Sequence, residues 1–176
     1  KERPAEEAGS VVVSTIKGTR PLLAEVQALV SPTLFVGNPR RMTIGLDHFR
    51  TSLLLAVIER KMRANFGGQD IYLNVAGGLE IEEPAADLGV VLAVISSLKN
   101  RALPRDVVVF GEVGLSGEIR SVSSPLLRIK EALSLGFETI LMPKGNLIMV
   151  KREDLPKARL LGVRNIKEAS PMIFSQ

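Results

Sequence analysis

Apolar positions along this chain switch repeatedly between a period of two and a helical period. Ser10 to Ile16 and Pro21 to Val30 are two β-rich runs separated by Lys17-Gly18-Thr19-Arg20, a spacing that predicts a hairpin with a short loop. Ser31 to Pro39, with two prolines, Gly37 and Asn38, reads as a loop, and Met42 to Leu46 as a short strand. Asp47 is suited to cap a helix running to about Ala64. That helix spaces Phe49, Leu53, Leu54, Val57, Ile58 and Met62 over a wide apolar face expected to be mostly buried, and it closes on Arg60, Lys61 and Arg63.

Beyond Gly67-Gly68, Asp70 to Ala76 alternates as a strand and Gly77-Gly78 opens a loop. Pro84 fits the first turn of a second helix, which Leu88, Val91, Leu92, Ile95 and Leu98 continue at helical spacing. Asp106 to Val113 predicts a buried strand, Glu118 to Val122 another, and Pro125 to Leu135 a helix stopped by Gly136. Thr139 to Met142 reads as a strand ended by Pro143, with a turn at Pro143-Lys144-Gly145-Asn146. Ala158 to Val163 is a further strand and Asn165 the cap of a last helix. Strands alternating with helices give an α+β (mixed α/β) domain, and the early hairpin argues for a mixed sheet. No internal repeat is evident.

With 176 residues, 45% of them hydrophobic, the chain suits one globular domain with a real core. It has no cysteine, which removes disulfides and thiolate metal sites and points to a reducing compartment such as the cytoplasm. One histidine, His48, makes a histidine zinc site implausible. Apolar runs such as Leu53 to Ile58 and Leu88 to Ile95 fall far short of the roughly 20 residues that cross a bilayer, so no membrane partner is expected. The net charge of +4 leans toward anionic partners. With one tyrosine, no tryptophan and six phenylalanines, any nucleic-acid contact should be to phosphates and not by base stacking.

The stretch Glu82-Glu83-Pro84-Ala85-Ala86-Asp87-Leu88-Gly89 is similar to the motif in which Lon proteases carry their serine nucleophile, with Ala85 at the serine's place. Counting on from Gly111-Glu112-Val113-Gly114-Leu115-Ser116-Gly117 puts Arg128 where Lon has its catalytic lysine. A methyl group cannot attack a carbonyl, and an arginine never gives up its proton to act as base. The two positions therefore read as a degenerate dyad. Glu83 and Asp87 stand where Lon has glycines, adding bulk and negative charge that oppose an oxyanion, and one of them is expected to pair with Arg128.

Several blocks in order, among them Gly18-Thr19-Arg20-Pro21-Leu22-Leu23-Ala24-Glu25-Val26, Gly45-Leu46-Asp47, Asn74-Val75-Ala76-Gly77-Gly78-Leu79 and Gly111-Glu112-Val113-Gly114-Leu115, resemble the C-terminal part of the RadA (Sms) family of bacterial DNA repair proteins, over roughly residues 10 to 170. The resemblance implies a Lon-protease-like fold, that of the second domain of ribosomal protein S5, at residues 10–176, with residues 1–9 a linker from an absent ATPase part. It implies a hexameric ring that binds single-stranded or branched DNA in homologous recombination, with recombinase or other repair proteins as further partners. Zinc, ATP and magnesium are then expected in the N-terminal parts of the longer protein. For this segment no cofactor and no enzymatic activity of its own are expected, since no glycine here is followed by the lysine of a phosphate loop.

Candidate DNA-contacting residues are Arg40 and Arg41 after a proline, Arg60, Lys61 and Arg63 at a helix end, and Lys99, Arg101 and Arg105 after another helix. Each is equally at home as ordinary surface charge, the helix-end group on dipole grounds alone. Two alternatives remain: a scaffold used only for protein association, and an active peptidase with a displaced pair drawn from Ser121, Ser123, Ser124 and Lys130.

Overall fold

A computed structural model describes residues 7–34 and 37–174. Its β1 (Ser10–Lys17) and β2 (Arg20–Pro32) form the expected hairpin in antiparallel register, Lys17 opposite Arg20, so Gly18 and Thr19 alone make the turn. Next come β3 (Arg41–Ile44), α1 (His48–Met62), β4 (Gln69–Val75) and α2 (Asp87–Lys99). They are followed by β5 (Val107–Val109), β6 (Glu112–Val113), β7 (Ile119–Arg120), α3 (Pro125–Ser134), β8 (Thr139–Pro143), α4 (Lys144–Met149), β9 (Arg159–Val163) and α5 (Ile166–Phe174). One seven-stranded sheet has the order β3-β4-β2-β1-β5-β8-β9, and β6 pairs with β7 apart from it. Within the large sheet β2 alone runs against its neighbours. The class is mixed α/β, as the early hairpin and later alternation predicted.

Alternation along the central strands sends neighbours to opposite faces. Val11 and Val13 of β1, with Val107 and Val109 of β5, join the core under α1, α2 and α5, whereas Val12 and Val108 join a second core with Ile129 and Ala132 of α3. The sheet is thus covered on both sides, and the C-terminal ends of its co-directional strands carry the loops around Ala85 and Gly111.

Local capping worked as the sequence indicated. The Asp47 side chain accepts from the Arg50 N–H at 2.8 Å, and Asn165 accepts from the Glu168 N–H at 3.0 Å. Gly77 and Gly78 have φ of 77° and 71°, a backbone that L side chains rarely adopt, so turn geometry explains them.

Five expectations are corrected. Phe49 is 82% exposed and Leu53 half exposed, because α1 lies at the rim of the helical layer and buries only the stripe through Leu54, Leu55, Val57 and Ile58. The single strand expected over Asp106 to Val113 breaks after β5, where Gly111 turns the chain toward the separate β6–β7 ribbon, and the strand expected over Glu118 to Val122 shrinks to β7. The expected turn after Pro143 is α4, held by buried Asn146, whose amide bonds both the N–H and the C=O of Val122 at 2.9 Å. The Ser31 to Pro39 loop begins later than expected, since Ser31 and Pro32 still pair with β4; Phe35 and Val36 lie outside the described residues. Of the expected linker, residues 1–6 also lie outside, while Gly9 donates to Ser96 Oγ at 2.8 Å and accepts from the Ala28 N–H.

Candidate functional site

Pro84–Ala86 form a short 3-10 turn that leads straight into α2, so Ala85 sits at a helix start with 2% exposure. Its carbonyl accepts from the Gly111 N–H at 2.8 Å, and the Leu88 N–H donates to the Gly111 carbonyl at 3.0 Å. This pair of bonds clamps the Ala85 turn to the Gly111 landmark. The Ala86 and Asp87 N–H groups donate to Glu83 and Pro84 carbonyls. Backbone donors that would have to face an oxyanion are therefore already engaged within the protein.

Arg128 enters from α3, and its side chain is fully buried. Its two terminal nitrogens meet Glu83 in a fork at 2.6 and 2.9 Å, Nε donates to the Ser123 carbonyl at 2.8 Å, and Nη1 donates to the Ser14 carbonyl at 3.1 Å. The Phe110 ring lies 5.8 Å beneath the guanidinium. Glu83 in turn accepts from the Ile16 N–H at 2.7 Å and the Thr15 hydroxyl at 3.0 Å. Ser14 C=O and Ile16 N–H project to the same side of β1, beyond the point where β5 stops pairing with it at Val13. The ion pair takes the hydrogen bonds that a neighbouring strand would otherwise make.

Of the two carboxylates expected to meet Arg128, Glu83 does so and Asp87 does not. Asp87 forms a close bidentate ion pair with Arg50 of α1 and accepts from the Val113 N–H at 3.1 Å. Arg50 carried no sequence signal for this role, since it lies 37 positions away. A displaced peptidase pair is not assembled. Among the described residues no hydrogen bond joins Lys130 to Ser121, Ser123 or Ser124, and Ser123 offers its carbonyl to Arg128. Lys99 does reach the Ser170 hydroxyl at 3.4 Å, but Ser170 is buried between α2 and α5 and closed to a peptide.

Burial pushes the Glu83 carboxyl up, yet the Arg128 hydrogen bond, the Ile16 N–H, the Arg128 charge and the Thr15 hydroxyl together pull it below its ordinary 4.5. A carboxyl whose folded pKa is depressed adds stability above the unfolded value, and this is lost as pH falls through the folded one. Asp87 has the opposite sign. Burial holds it above its ordinary 3.8 despite Arg50 and Val113, so its ionisation costs stability as pH rises past 3.8. Glu83→Gln is therefore expected to flatten the decline in urea midpoint below 4.5. An acid profile unchanged from the parent contradicts this assignment.

The eight candidate DNA contacts gather at the opposite end of the sheet. Because β3, β4 and β5 run the same way, the helices between them return to the end where these strands begin. Arg40 and Arg41 open β3, Arg60, Lys61 and Arg63 close α1, and Lys99, Arg101 and Arg105 lie between α2 and β5. Arg41 and Arg101 are tied down there. Arg41 donates to the Phe66 carbonyl at 2.9 Å and to the Gln69 carbonyl, and Arg101 donates to the Phe174 carbonyl beside the Phe174 ring. Arg40, Arg60, Arg63 and Arg105 are exposed. No described helix is long and apolar enough to cross a membrane.

Residues 49–146 match the family described as "Subunit ChlI of Mg-chelatase". The chain is similar to DNA repair protein RadA of Chlamydia muridarum, 46% identical over 169 residues that make up 96% of this chain and 37% of the relative. It is 49% identical to DNA repair protein RadA of Halalkalibacterium halodurans over 147 residues, 84% of this chain and 32% of the relative. For the Bacillus subtilis protein of the same name the identity is 47% over 171 residues, 96% of this chain and 36% of the relative. The chain thus spans about a third of the length of these relatives.

These similarities correct two expectations. A segment matching a Mg-chelatase subunit over more than half its length cannot be set aside as no part of an enzyme, nor as cofactor-free. The physical reason is that the Ala85 and Arg128 positions bear only on peptide cleavage. The described residues do not themselves fit a magnesium–nucleotide group: they hold no set of three or more His, Cys, Asp or Glu side chains placed for a metal, and no glycine precedes a lysine.

Proposed function

Because the chain belongs to the family of DNA repair protein RadA, sharing through residues 49–146 the family described as subunit ChlI of Mg-chelatase, we propose that residues 10–176 are its Lon-protease-like, ring-forming and DNA-contacting domain. The Ser-Lys site of that fold is here a structural ion pair: Ala85 supplies no nucleophile, and Arg128 is held as a cation by Glu83. The protein of which this chain is a part is an ATP-hydrolysing enzyme of the cytoplasm that acts on single-stranded or branched recombination intermediates. Recombinase or other repair proteins are its further partners.

The observation that carries the DNA reading is the gathering of Arg40, Arg60, Lys61, Arg63, Lys99 and Arg105 at the strand-start end, away from the Ala85 turn. A homo-oligomeric ring, expected to be hexameric, repeats this modest patch at every subunit and so adds avidity. Phosphate contacts made this way are independent of base sequence and release counterions. The quadruple charge reversal of Arg60, Lys61, Arg63 and Arg105 is expected to weaken binding of single-stranded DNA at least about tenfold and to lower the salt slope by about 0.7 for each phosphate no longer neutralised. Fluorescence anisotropy at two salt concentrations reads both. Parent-like affinity and slope in the variant defeat the assignment, and a parent that associates with itself but ignores DNA leaves the protein-association reading in its place.

A further inference from the structure

One face of the large sheet is covered only in part. Ile71, Leu73 and Val75 of β4, with Val26 and Ala28 of β2, join the core under α1, α2 and α5, so alternation sends Tyr72, Asn74, Gln27 and Leu29 to the opposite face. On that side α3 packs on β1 and β2, and its core reaches along β2 to Leu23. Beyond it Leu29 is 56%, Met42 53% and Ile44 63% exposed, so the face made by β3, β4 and the second half of β2 is open. Register sets Leu29, Tyr72 and Met42 side by side in one cross-strand row, and Gln27, Asn74 and Ile44 in the next. Tyr72 thus stands at the centre of the open face, itself partly exposed, between two half-exposed aliphatic side chains.

The borders of this face indicate what meets it. Toward the strand-start end, Arg40 and Arg41 directly precede Met42, so the face opens onto the basic rim proposed above to hold phosphates. Its two carboxylates are turned to protein donors. Asp70 accepts from the Arg40 N–H at 2.7 Å and the Thr33 hydroxyl at 3.1 Å, and Glu25 accepts from the Ser10 hydroxyl at 3.0 Å and the Gln27 amide at 2.9 Å. Asn74 donates to Gln27 Oε1 at 3.2 Å, which places uncharged amides beside the ring on the side away from the rim. An aromatic ring on an open surface with cations at one edge suits a base whose phosphates are held at that edge. In a duplex each base is covered by its stacked neighbours, so a base reaches such a ring at low cost only from an unpaired strand.

We infer that Tyr72 is a stacking platform for a base of single-stranded DNA, flanked by Leu29 and Met42. This role rests on the DNA-contacting reading above and adds to it the group that tells a single strand from a duplex, which phosphate contacts alone do not do. The scarcity of aromatic residues pointed to phosphates only, yet one ring suffices where strand register sets it on an open face beside the cations.

Because Tyr72 is the one tyrosine in a chain without tryptophan, the parent's tyrosine emission reports on this ring alone. A thymidine oligonucleotide is expected to quench that emission, and an abasic oligonucleotide of the same length to bind more weakly and without quenching. Tyr72→Ala is expected to weaken binding of the thymidine strand at least about fivefold, the loss of one base–aromatic stack, with the salt slope unchanged, while Tyr72→Phe stays within about twofold of the parent. On the abasic strand and on duplex DNA, parent and Tyr72→Ala are expected to bind alike.

Unquenched emission in a saturated parent complex, a parent-like Tyr72→Ala, or a loss equally large on the abasic strand each overturn the stack and leave the phosphate contacts standing. A Tyr72→Ala chain whose mass in analytical ultracentrifugation falls below the parent's marks the face as a protein contact and overturns the stack likewise. A parent that binds neither oligonucleotide overturns the DNA-contacting reading along with it. The emission measurements and the comparison with the abasic strand need only the parent, so they decide the matter even if Tyr72→Ala unfolds.

Discussion

Glu83→Ala is expected to lower the free energy of unfolding by about 3–5 kcal/mol, because it leaves the fully buried Arg128 guanidinium without its counter-charge. The neighbouring carbonyls of Ser14 and Ser123 still accept from Arg128, but a carbonyl dipole does not neutralise a cation. The Ile16 N–H and the Thr15 hydroxyl lose their acceptor in the same change, which adds unsatisfied donors at the β1 edge. The double variant Glu83→Leu/Arg128→Met removes both charges together and should recover much of the loss, as an apolar replacement of similar volume often does. Urea unfolding of Glu83→Leu, Arg128→Met and the double closes the cycle. A loss below about 1 kcal/mol for Glu83→Ala, or a double variant no better than the sum of its parts, means that the pair is not the element holding this end of the sheet.

Gly89→Val is expected to cost about 3 kcal/mol through overpacking. Gly89 lies in the first turns of α2, and a Cβ built there comes to 2.1 Å from Val13 Cγ1 of β1. Val13 is completely buried and cannot swing away. Helix propensity alone favours replacing this glycine by about 1 kcal/mol for alanine, so the sign of Gly89→Ala separates the two effects. Gly89→Ala should destabilise, and Val13→Ala in the same chain should relieve the clash, whereas Gly68→Ala, where no atom lies within 4 Å, should be close to neutral. A Gly89→Ala variant more stable than the parent removes close α2–β1 approach as the reason for a glycine here.

Much of the fold was legible because its signals are short-ranged. The hairpin, the Asp47 and Asn165 caps, the Pro84 helix start and the Gly77-Gly78 turn each depend on residues within a few positions of one another. Errors fell where tertiary packing overrides local pattern. The apolar stripe of α1 is wider than the core can cover, so Phe49 and Leu53 stay exposed, and the Asp106 to Val113 run is broken by where Gly111 must turn. Asn146 looked like a turn residue, and its pairing with Val122 depends on a loop 24 positions away.

At the candidate site the sequence supplied the identities but not the pairings. Ala85 and Arg128 lack a hydroxyl and a releasable proton whatever surrounds them. Arg41 and Arg101 read as free surface cations, yet their guanidiniums are engaged by backbone carbonyls of Phe66, Gln69 and Phe174.

By itself, then, the sequence determined the succession of elements, their caps and the chemistry that two side chains lack, because each of these is carried by one residue or by a few consecutive ones. Only the tertiary structure decided that Glu83 meets Arg128 across 45 positions while Asp87 meets Arg50 across 37. Those partnerships follow from strand register and from the end of the sheet at which each helix emerges. Such distances in space have no counterpart in spacing along the chain.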